Sequence, residues 1–233
     1  MSKLRALDLF CCAGGAGMGL HRAGFEVVGV DIRPQPRYPF EFHQADALTY
    51  PLDGFDFIWA SPPCQGYTAL RHAPGAVGAA KLIRAVRARL QSTPERAVWV
   101  IENVEEARAD MIHPFMLCGS MFNLGAQGCR LQRHRLFETN LAYFKPPYFD
   151  GNCQHDSRPV IGVYGGHARK RSAKNGGRGT RDEWIGGHKA AASEALGIDW
   201  MTLAELSEAI PPAYSEFIAR EAIRQGCFRE EAA

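Results

Sequence analysis

The opening of the chain contains a strand–helix–strand pattern with a glycine-rich first turn. Residues 4–10 are a short apolar run that predicts a strand. The glycine-rich residues 11–19 follow and lead into a predicted helix that Gly24 ends. Residues 27–30 predict a second strand, with Asp31 at its end. A strand, a helix and a strand in this order are typical of α/β proteins, so we expect the fold class to be α/β.

The glycine-rich turn predicts a ligand site. Because Gly14 and Gly15 lack Cβ atoms, the backbone can pass close to a ligand and turn its amides toward it. The glycines do not have the spacing of a dinucleotide fingerprint, so another nucleoside-bearing ligand is expected. Asp31 is placed to accept hydrogen bonds from ribose hydroxyls, and Asp46 could accept one from an adenine amino group. The alternative is that these are ordinary turn residues.

A later strand end carries a cysteine. The apolar run 55–60 predicts a buried strand, and Pro62 and Pro63 end it and stiffen the following loop. Gly66 permits a sharp turn beyond them. Cys64 therefore lies on a rigid loop at the carboxyl end of a strand, where open α/β sheets place their chemistry. The alternative is a turn that contains an inert cysteine.

Glu102 is the second candidate for chemistry. Residues 97–101 predict a buried strand, and a carboxylate directly after it is costly to bury without a partner. Residues 128–137 predict a strand in which Arg133 and Arg135 point the same way, because they are two positions apart. The pair could hold an anionic group or orient Glu102. The alternative is a charged strand face.

The remaining segments predict helices and one basic stretch. Residues 75–91 and 113–122 have the apolar spacing of helices. Apolar periodicity fades over residues 145–189, and within them residues 165–181 carry six basic residues, His aside, and no acid. Such a stretch suits phosphate contacts and equally suits a solvated loop. Residues 190–226 return to helical patterns, and the last helix is expected to pack on the sheet.

Length and composition fit one α/β domain, or one domain with a small appendage. Of the 233 residues 46% are hydrophobic, enough for a core, and the net charge of +2 predicts no particular partner. Without a long apolar window or a signal-peptide pattern, a cytoplasmic protein that does not contact a membrane is expected. The seven cysteines form no CxxC pair, which favours reduced thiols. Cys153 and His155 have a metal-like spacing but no second pair, so no metal is predicted.

Four of these segments together resemble the cytosine-C5 DNA methyltransferase family. Asp8-Leu-Phe-x-x-x-Gly-Gly15 looks like the family's cofactor loop, and Pro63-Cys-Gln65 looks like its nucleophile motif. Glu102-Asn-Val104 looks like its acid motif, and Gln132-Arg-x-Arg135 looks like its arginine motif. The motifs stand in the family order. The resemblance implies S-adenosylmethionine as cofactor, S-adenosylhomocysteine as product, and a doubly wound, mostly parallel sheet with a short DNA-recognition segment.

The resemblance also implies a division of the chain and a partner. Residues 1–144 would form the catalytic and cofactor-binding core, and residues 145–189 a short basic target-recognition segment. Residues 190–233 would form helices that pack back on the core. The partner would be double-stranded DNA, bound by a monomer. The short recognition segment leads us to expect a short target sequence or relaxed specificity.

The resemblance assigns roles to four residues. Cys64 would add to C6 of a flipped cytosine, and a neutral Glu102 would support that addition at N3. Arg135 would help to polarise the ring, and Arg133 would position Glu102 or the backbone. The expected cofactor contacts are Phe10, Cys11, Cys12, Ala13, Gly14, Gly15, Asp31, Ile32, Asp46, Ala47 and Pro62. The expected DNA contacts are Gln65, Arg169, Lys170, Arg171 and Lys174.

Departures from the family pattern leave alternatives open. Cys12 stands where the family usually has glycine, and residues 207–212 lack the family's Gly-Asn, so no cofactor contact is carried over there. Ser61-Pro-Pro-Cys64 also resembles the motif of amino-methyltransferases that act on adenine N6 or cytosine N4, whose chemistry needs no thiol. A non-catalytic nucleic-acid-binding module would need neither Cys64 nor Glu102. A C5 methyltransferase of RNA is the remaining alternative.

Overall fold

The computed structural model describes residues 3–67, 80–93, 97–142, 153, 158–171 and 184–228. Its strands are β1 (Arg5–Leu9), β2 (Glu26–Asp31), β3 (Glu41–Gln44), β4 (Phe57–Ala60), β5 (Val98–Asn103), β6 (Phe115–Leu117), β7 (Gly125–Ala126), β8 (Cys129–Leu131), β9 (Arg135–Thr139), β10 (Val160–Tyr164) and β11 (His167–Arg171). Its helices are α1 (Gly15–Arg22), α2 (Ile83–Leu90), α3 (Gly187–Leu196), α4 (Leu203–Glu208) and α5 (Pro212–Arg224). Two short 3-10 turns cover Glu105–Asp110 and Gly119–Phe122.

The large sheet has seven strands in the order β3-β2-β1-β4-β5-β9-β6. The first five are parallel, whereas β9 runs antiparallel to both β5 and β6. The chain moves outward from β1 through β2 to β3 and then returns to place β4 on the other side of β1. Open α/β sheets bind ligands at this kind of reversal, beyond the carboxyl ends of the strands.

Both faces of the large sheet are covered. On β4, Phe57 and Trp59 face a core shared with Tyr214 and Ile218 of α5. Ile58, between them in sequence, faces a second core that contains residues of α2. Successive side chains of a strand point to opposite faces, so this alternation places helices on both sides of the sheet. The α/β class, the doubly wound and mostly parallel sheet, and the packing of the last helix on it are confirmed.

A smaller sheet contains four strands in the order β11-β10-β8-β7. Its buried residues, including Leu131, Ile161 and Ala168, share a core with Ala191 and Ala195 of α3. Two of its strands, β10 and β11, lie within residues 145–189, where the apolar periodicity of the sequence fades.

The helix predicted over residues 113–122 is wrong. Residues 115–117 form the edge strand β6, because their backbone pairs with β9 and Phe115 stacks on Phe137 with ring centroids 5.5 Å apart. Tertiary pairing thus overrides the helical spacing of the apolar residues. Of the helix predicted over residues 75–91, residues 83–90 are helical in α2, and residues 75–79 lie outside the described part of the chain.

The single strand predicted over residues 128–137 is also wrong. It divides into β8 and β9, because Leu131 pairs with Ile161 in the small sheet and Leu136 pairs with Asn103 in the large one. Arg133 lies in the link between the two sheets, so the prediction that Arg133 and Arg135 point the same way from one strand is wrong.

Candidate active site

A cavity of about 170 Å³ lies beyond the carboxyl ends of β1, β4 and β5. It is formed by the glycine-rich turn, the loop after β4, the end of β5 and the residues around α4. Its lining consists of Asp8, Phe10, Cys11, Cys12, Ala13, Gly15, Ala16, Ser61, Pro62, Pro63, Cys64, Gln65, Glu102, Val104, Arg135, Met201, Glu205, Ser207, Glu208, Ala209 and Ile210. The cavity therefore connects the predicted cofactor turn with the predicted catalytic groups.

The glycine-rich turn has an unusual backbone path. Phe10, Cys12 and Gly14 all have positive φ, of 58°, 45° and 84°. A Cβ on Gly14 would come within 2.8 Å of Pro39, and one on Gly15 would come within 2.3 Å of the carbonyl oxygen of Ile210. Glycine is needed at these two positions because the turn is packed tightly between the β2–β3 loop and the α4–α5 link.

Asp31 holds this turn in place. One of its carboxylate oxygens accepts a hydrogen bond from the Cys12 amide at 3.1 Å, and the other accepts one from the Arg33 amide at 2.9 Å. The carboxylate oxygen of Asp46 accepts from the Leu48 amide at 2.8 Å, which is a local turn interaction. The cavity lining does not include Gly14, Asp31, Ile32, Asp46 or Ala47, although all five were predicted cofactor contacts. They lie on the surrounding turn and strand ends.

Cys64 stands half-buried on the loop after β4. Two hydrogen bonds hold this loop in place. Asn103 Nδ2 donates to the Pro62 carbonyl at 2.9 Å, and Trp59 Nε1 donates to Ser61 Oγ at 2.9 Å. Burial raises the pKa of the Cys64 thiol and the nearby Glu102 raises it further, whereas Arg135 lowers it. The cavity therefore favours the neutral thiol over the thiolate more than water does.

Glu102 lies at the end of β5 and is buried, with 5% of its surface exposed. Its Oε1 is 3.1 Å from Nε of Arg135. Burial raises the pKa of Glu102, against the opposing effects of Arg135, of a hydrogen bond with Ser61 and of Arg133. The site therefore favours the protonated carboxyl group more than water does.

Arg133 and Arg135 have different surroundings. Arg135 lines the cavity beside Glu102. Arg133 is buried outside the cavity lining, and its guanidinium donates to the carbonyl oxygens of Val163 at 2.6 Å and Ser207 at 2.9 Å. Burial, together with Arg135, lowers the pKa of Arg133 to about 9. Arg133 thus joins β10 to α4 through backbone groups.

Several lining residues were not predicted from the sequence. Asp8 is buried and accepts a hydrogen bond from the Tyr38 hydroxyl at 3.1 Å, and burial raises the pKa of Asp8 to about 8. Met201, Glu205 and residues 207–210 also line the cavity. The available signal was Pro211-Pro212, which marks the start of α5 and places the preceding residues at the sheet edge.

The predicted DNA contacts are distributed over two elements. Gln65 is exposed at the mouth of the cavity. Arg169, Lys170 and Arg171 belong to β11, where the Arg171 guanidinium lies over the Tyr164 ring at 4.8 Å. Lys174 lies outside the described residues.

The comparisons identify relatives among methyltransferases. The type II methyltransferase M.HgiGI of Herpetosiphon aurantiacus is 29% identical over 126 residues, which cover 47% of this chain and 98% of that protein. The Dnmt2 methyltransferase of S. pombe is 13% identical with a TM-score of 0.59 and covers 96% of this chain and 99% of that one. Entamoeba histolytica methyltransferase EhMeth is 11% identical with a TM-score of 0.57, covering 97% and 99%. No family model matches.

These findings confirm the fold and the resemblance. At such low identities the solved structures show the fold alone, a Rossmann-like α/β fold. The sequence relative bears a methyltransferase name, in agreement with the resemblance that the four motifs carry. None of the helices in the described part of the chain is long and apolar enough to cross a membrane.

Proposed function

We propose that this protein transfers a methyl group to C5 of a cytosine in DNA, through a covalent bond between Cys64 and the base. The observation that carries the proposal is one cavity that holds the Cys64 thiol, the Glu102 carboxyl group and the Arg135 guanidinium, and extends to the glycine-rich turn. The name of the sequence relative, a type II methyltransferase, supports DNA as the substrate.

The lining suits S-adenosylmethionine. Phe10, Ala13 and Pro62 offer apolar contacts, and the carboxyl groups of Glu205 and Glu208 suit a ligand with a cationic amino group and a sulfonium. When bound, this cofactor supplies an electrophilic methyl group. Asp31 would act on the cofactor indirectly as well, because it fixes the amide of Cys12 in the turn.

The residues of the chain then have separate tasks. Cys64 loses its proton to solvent and its sulfur bonds to C6 of the base, which makes C5 nucleophilic. Glu102 holds a proton at N3, so that the negative charge from the addition is neutralised there. Arg135 fixes the orientation of Glu102. After C5 has gained the methyl group, its proton passes to solvent, the C5–C6 double bond forms again, and Cys64 leaves C6 as a thiolate. A base inside a duplex cannot reach the thiol, so the cytosine must leave the stack.

We also propose that the chain is divided into the three segments that the family resemblance implies. Residues 1–144 form the catalytic and cofactor-binding core, residues 145–189 contact the target, and residues 190–233 close the cavity and pack on the core. The protein acts as a monomer on double-stranded DNA. The basic strand β11, within the second of these segments, supports phosphate contacts there.

Sequencing of bisulfite-treated DNA tests the function. DNA from cells that express this chain is expected to carry 5-methylcytosine in a short sequence context, and DNA from cells that express Cys64→Ser is not. Mass spectrometry of the nucleosides distinguishes the alternatives, because an amino-methyltransferase would yield N6-methyladenine or N4-methylcytosine. Methylated RNA without methylated DNA would contradict DNA as the substrate.

Neutralising β11 is expected to weaken DNA binding. In the variant Arg169→Gln with Lys170→Gln, each phosphate that the protein no longer neutralises should reduce the slope of log affinity against log salt by about 0.9, which makes about 1.8 for two phosphates. Fluorescence anisotropy over a salt series measures the slope. The matched control is the variant Arg22→Gln with Arg220→Gln. Both arginines are exposed, and the Arg220 side chain donates to the Arg22 carbonyl oxygen at the C-terminal end of α1. If the β11 variant and the control variant give the same slope of log affinity against log salt, β11 does not contact DNA phosphates.

A further inference from the structure

Two cysteines and a histidine meet outside the cavity. The ligating atoms of Cys118, His134 and Cys153 all lie within 4.8 Å of one another. Cys153 Sγ and His134 Nε2 are 3.0 Å apart. Cys118 directly follows β6, His134 lies in the link between β8 and β9, and Cys153 lies between β9 and β10. Three separate parts of the chain thus supply one sulfur or nitrogen atom each.

The surroundings orient these atoms as metal ligands. Nδ1 of His134 is 2.7 Å from a carboxylate oxygen of Glu105. When Nδ1–H donates to that carboxylate, Nε2 keeps its lone pair and faces the two sulfurs, which is the carboxylate–histidine arrangement found around protein-bound zinc. The Ser120 hydroxyl donates to Cys118 Sγ at 3.4 Å.

We propose that Cys118, His134 and Cys153 bind a zinc ion that fastens the start of the target-recognition segment to the catalytic core. Sulfur and imidazole ligands are those that zinc prefers, and they exclude the hard cations Mg²⁺ and Ca²⁺. Three ligands leave the fourth tetrahedral position open in the described part of the chain. None of the three residues lines the cavity that holds Cys64, so the proposed ion lies apart from the proposed methyl-transfer site.

The dimensions of the cluster suit this ion. Zinc–sulfur bonds of about 2.3 Å and zinc–nitrogen bonds of about 2.0 Å place a tetrahedral sulfur–nitrogen pair about 3.5 Å apart. The pair of Cys153 and His134, now 3.0 Å apart, needs to open by about half an ångström. Cys153 is half-buried at the surface, so it can make this adjustment more readily than the fully buried Cys118.

The site lies next to the catalytic arginine in sequence. His134 is flanked by Arg133 and Arg135, and Arg135 Nη1 donates to the His134 carbonyl at 2.8 Å. A zinc ion on the imidazole would therefore hold the backbone that carries Arg135. The metal content is measured independently of methyl transfer. A protein without zinc would contradict the zinc site and leave the proposed function intact, and a protein without methyl transfer would leave the zinc site intact.

The test is the metal content of the purified protein. The full chain, prepared in reducing buffer without chelator, is expected to contain about one zinc per chain by inductively coupled plasma mass spectrometry. Replacement of the metal by Co²⁺ should give the visible d–d bands of a tetrahedral ion and a thiolate charge-transfer band. Cys153→Ser and His134→Gln should lose the zinc and these bands. Cys227→Ser, a cysteine outside the cluster, is the matched control and should keep both.

Three outcomes overturn the proposal. One is wild-type protein with no zinc and no Co²⁺ spectrum. Another is zinc that remains in the double variant Cys118→Ser with Cys153→Ser, which would mean that the ion binds elsewhere. The third is a Cys118–Cys153 disulfide in the protein as isolated, detected as the loss of two thiols in a thiol titration, which would make the pair redox-active. If Cys118→Ser does not fold, the half-buried Cys153→Ser and the Co²⁺ spectrum of the wild type still decide the question.

Discussion

Replacing Cys64 by serine is expected to abolish both methyl transfer and covalent trapping on DNA that carries 5-fluorocytosine at the target position. With the wild-type protein, sulfur adds to C6 and C5 gains the methyl group, but fluorine cannot leave as a proton does. Elimination therefore stops, and a protein–DNA complex that depends on S-adenosylmethionine should persist on a denaturing gel. Because serine is a much weaker nucleophile than a thiolate, the rate is expected to fall by several orders of magnitude.

Two further variants make this result specific. Glu102→Gln should form the adduct far more slowly, because an amide cannot supply the proton at N3. Cys227→Ser, which lies away from the cavity, should form it at the wild-type rate. Calorimetry with S-adenosylmethionine checks that Cys64→Ser still binds the cofactor. Active enzyme that gives no adduct on a verified target would falsify the C5 mechanism and favour an amino-methyltransferase.

The sequence was sufficient to predict where the catalytic groups converge. The Cys64 loop and Glu102 each follow a run of apolar residues, 57–60 and 97–101, and such runs are typical of buried parallel strands. The carboxyl ends of parallel strands lie at one edge of the sheet, so residues far apart in the chain were expected there. The structure brings both into one cavity, with Arg135 beside Glu102.

The errors arise where long-range pairing decides the structure. Residues 115–117 have helical apolar spacing but become a strand because β9 offers them a backbone partner. Arg133 is separated from Arg135 because the chain leaves the small sheet between β8 and β9. Long-range contacts also explain why the cluster of Cys118, His134 and Cys153 was not predicted from the sequence. Cys153 was paired in sequence with His155, which lies outside the described residues, whereas its neighbours in space are Cys118 and His134.

Replacing Arg87 by methionine is expected to lower the free energy of unfolding by about 3–5 kcal/mol, because it leaves a buried carboxylate without its partner. Arg87 of α2 and Glu138 of β9 are both buried, and Nη2 of the arginine is 2.7 Å from Oε2 of the glutamate. The same Nη2 also donates to the Asp110 carbonyl at 2.6 Å. Urea unfolding at neutral pH, followed by circular dichroism, measures the loss.

Arg84→Met is the matched control for Arg87→Met. Arg84 lies one turn earlier in α2 and pairs with Asp110, but 77% of its side chain is exposed, so removing it should cost at most about 1 kcal/mol. Arg87→Met with Glu138→Leu should recover much of the stability, because no charge is then buried alone. The recovery stays incomplete, since the Ile112 amide loses its acceptor on Glu138. Similar losses in Arg87→Met and Arg84→Met would show that the Arg87–Glu138 pair is solvated. A large loss in Arg87→Met alone would show that this buried pair fastens α2 to β9, the strand that begins at Arg135.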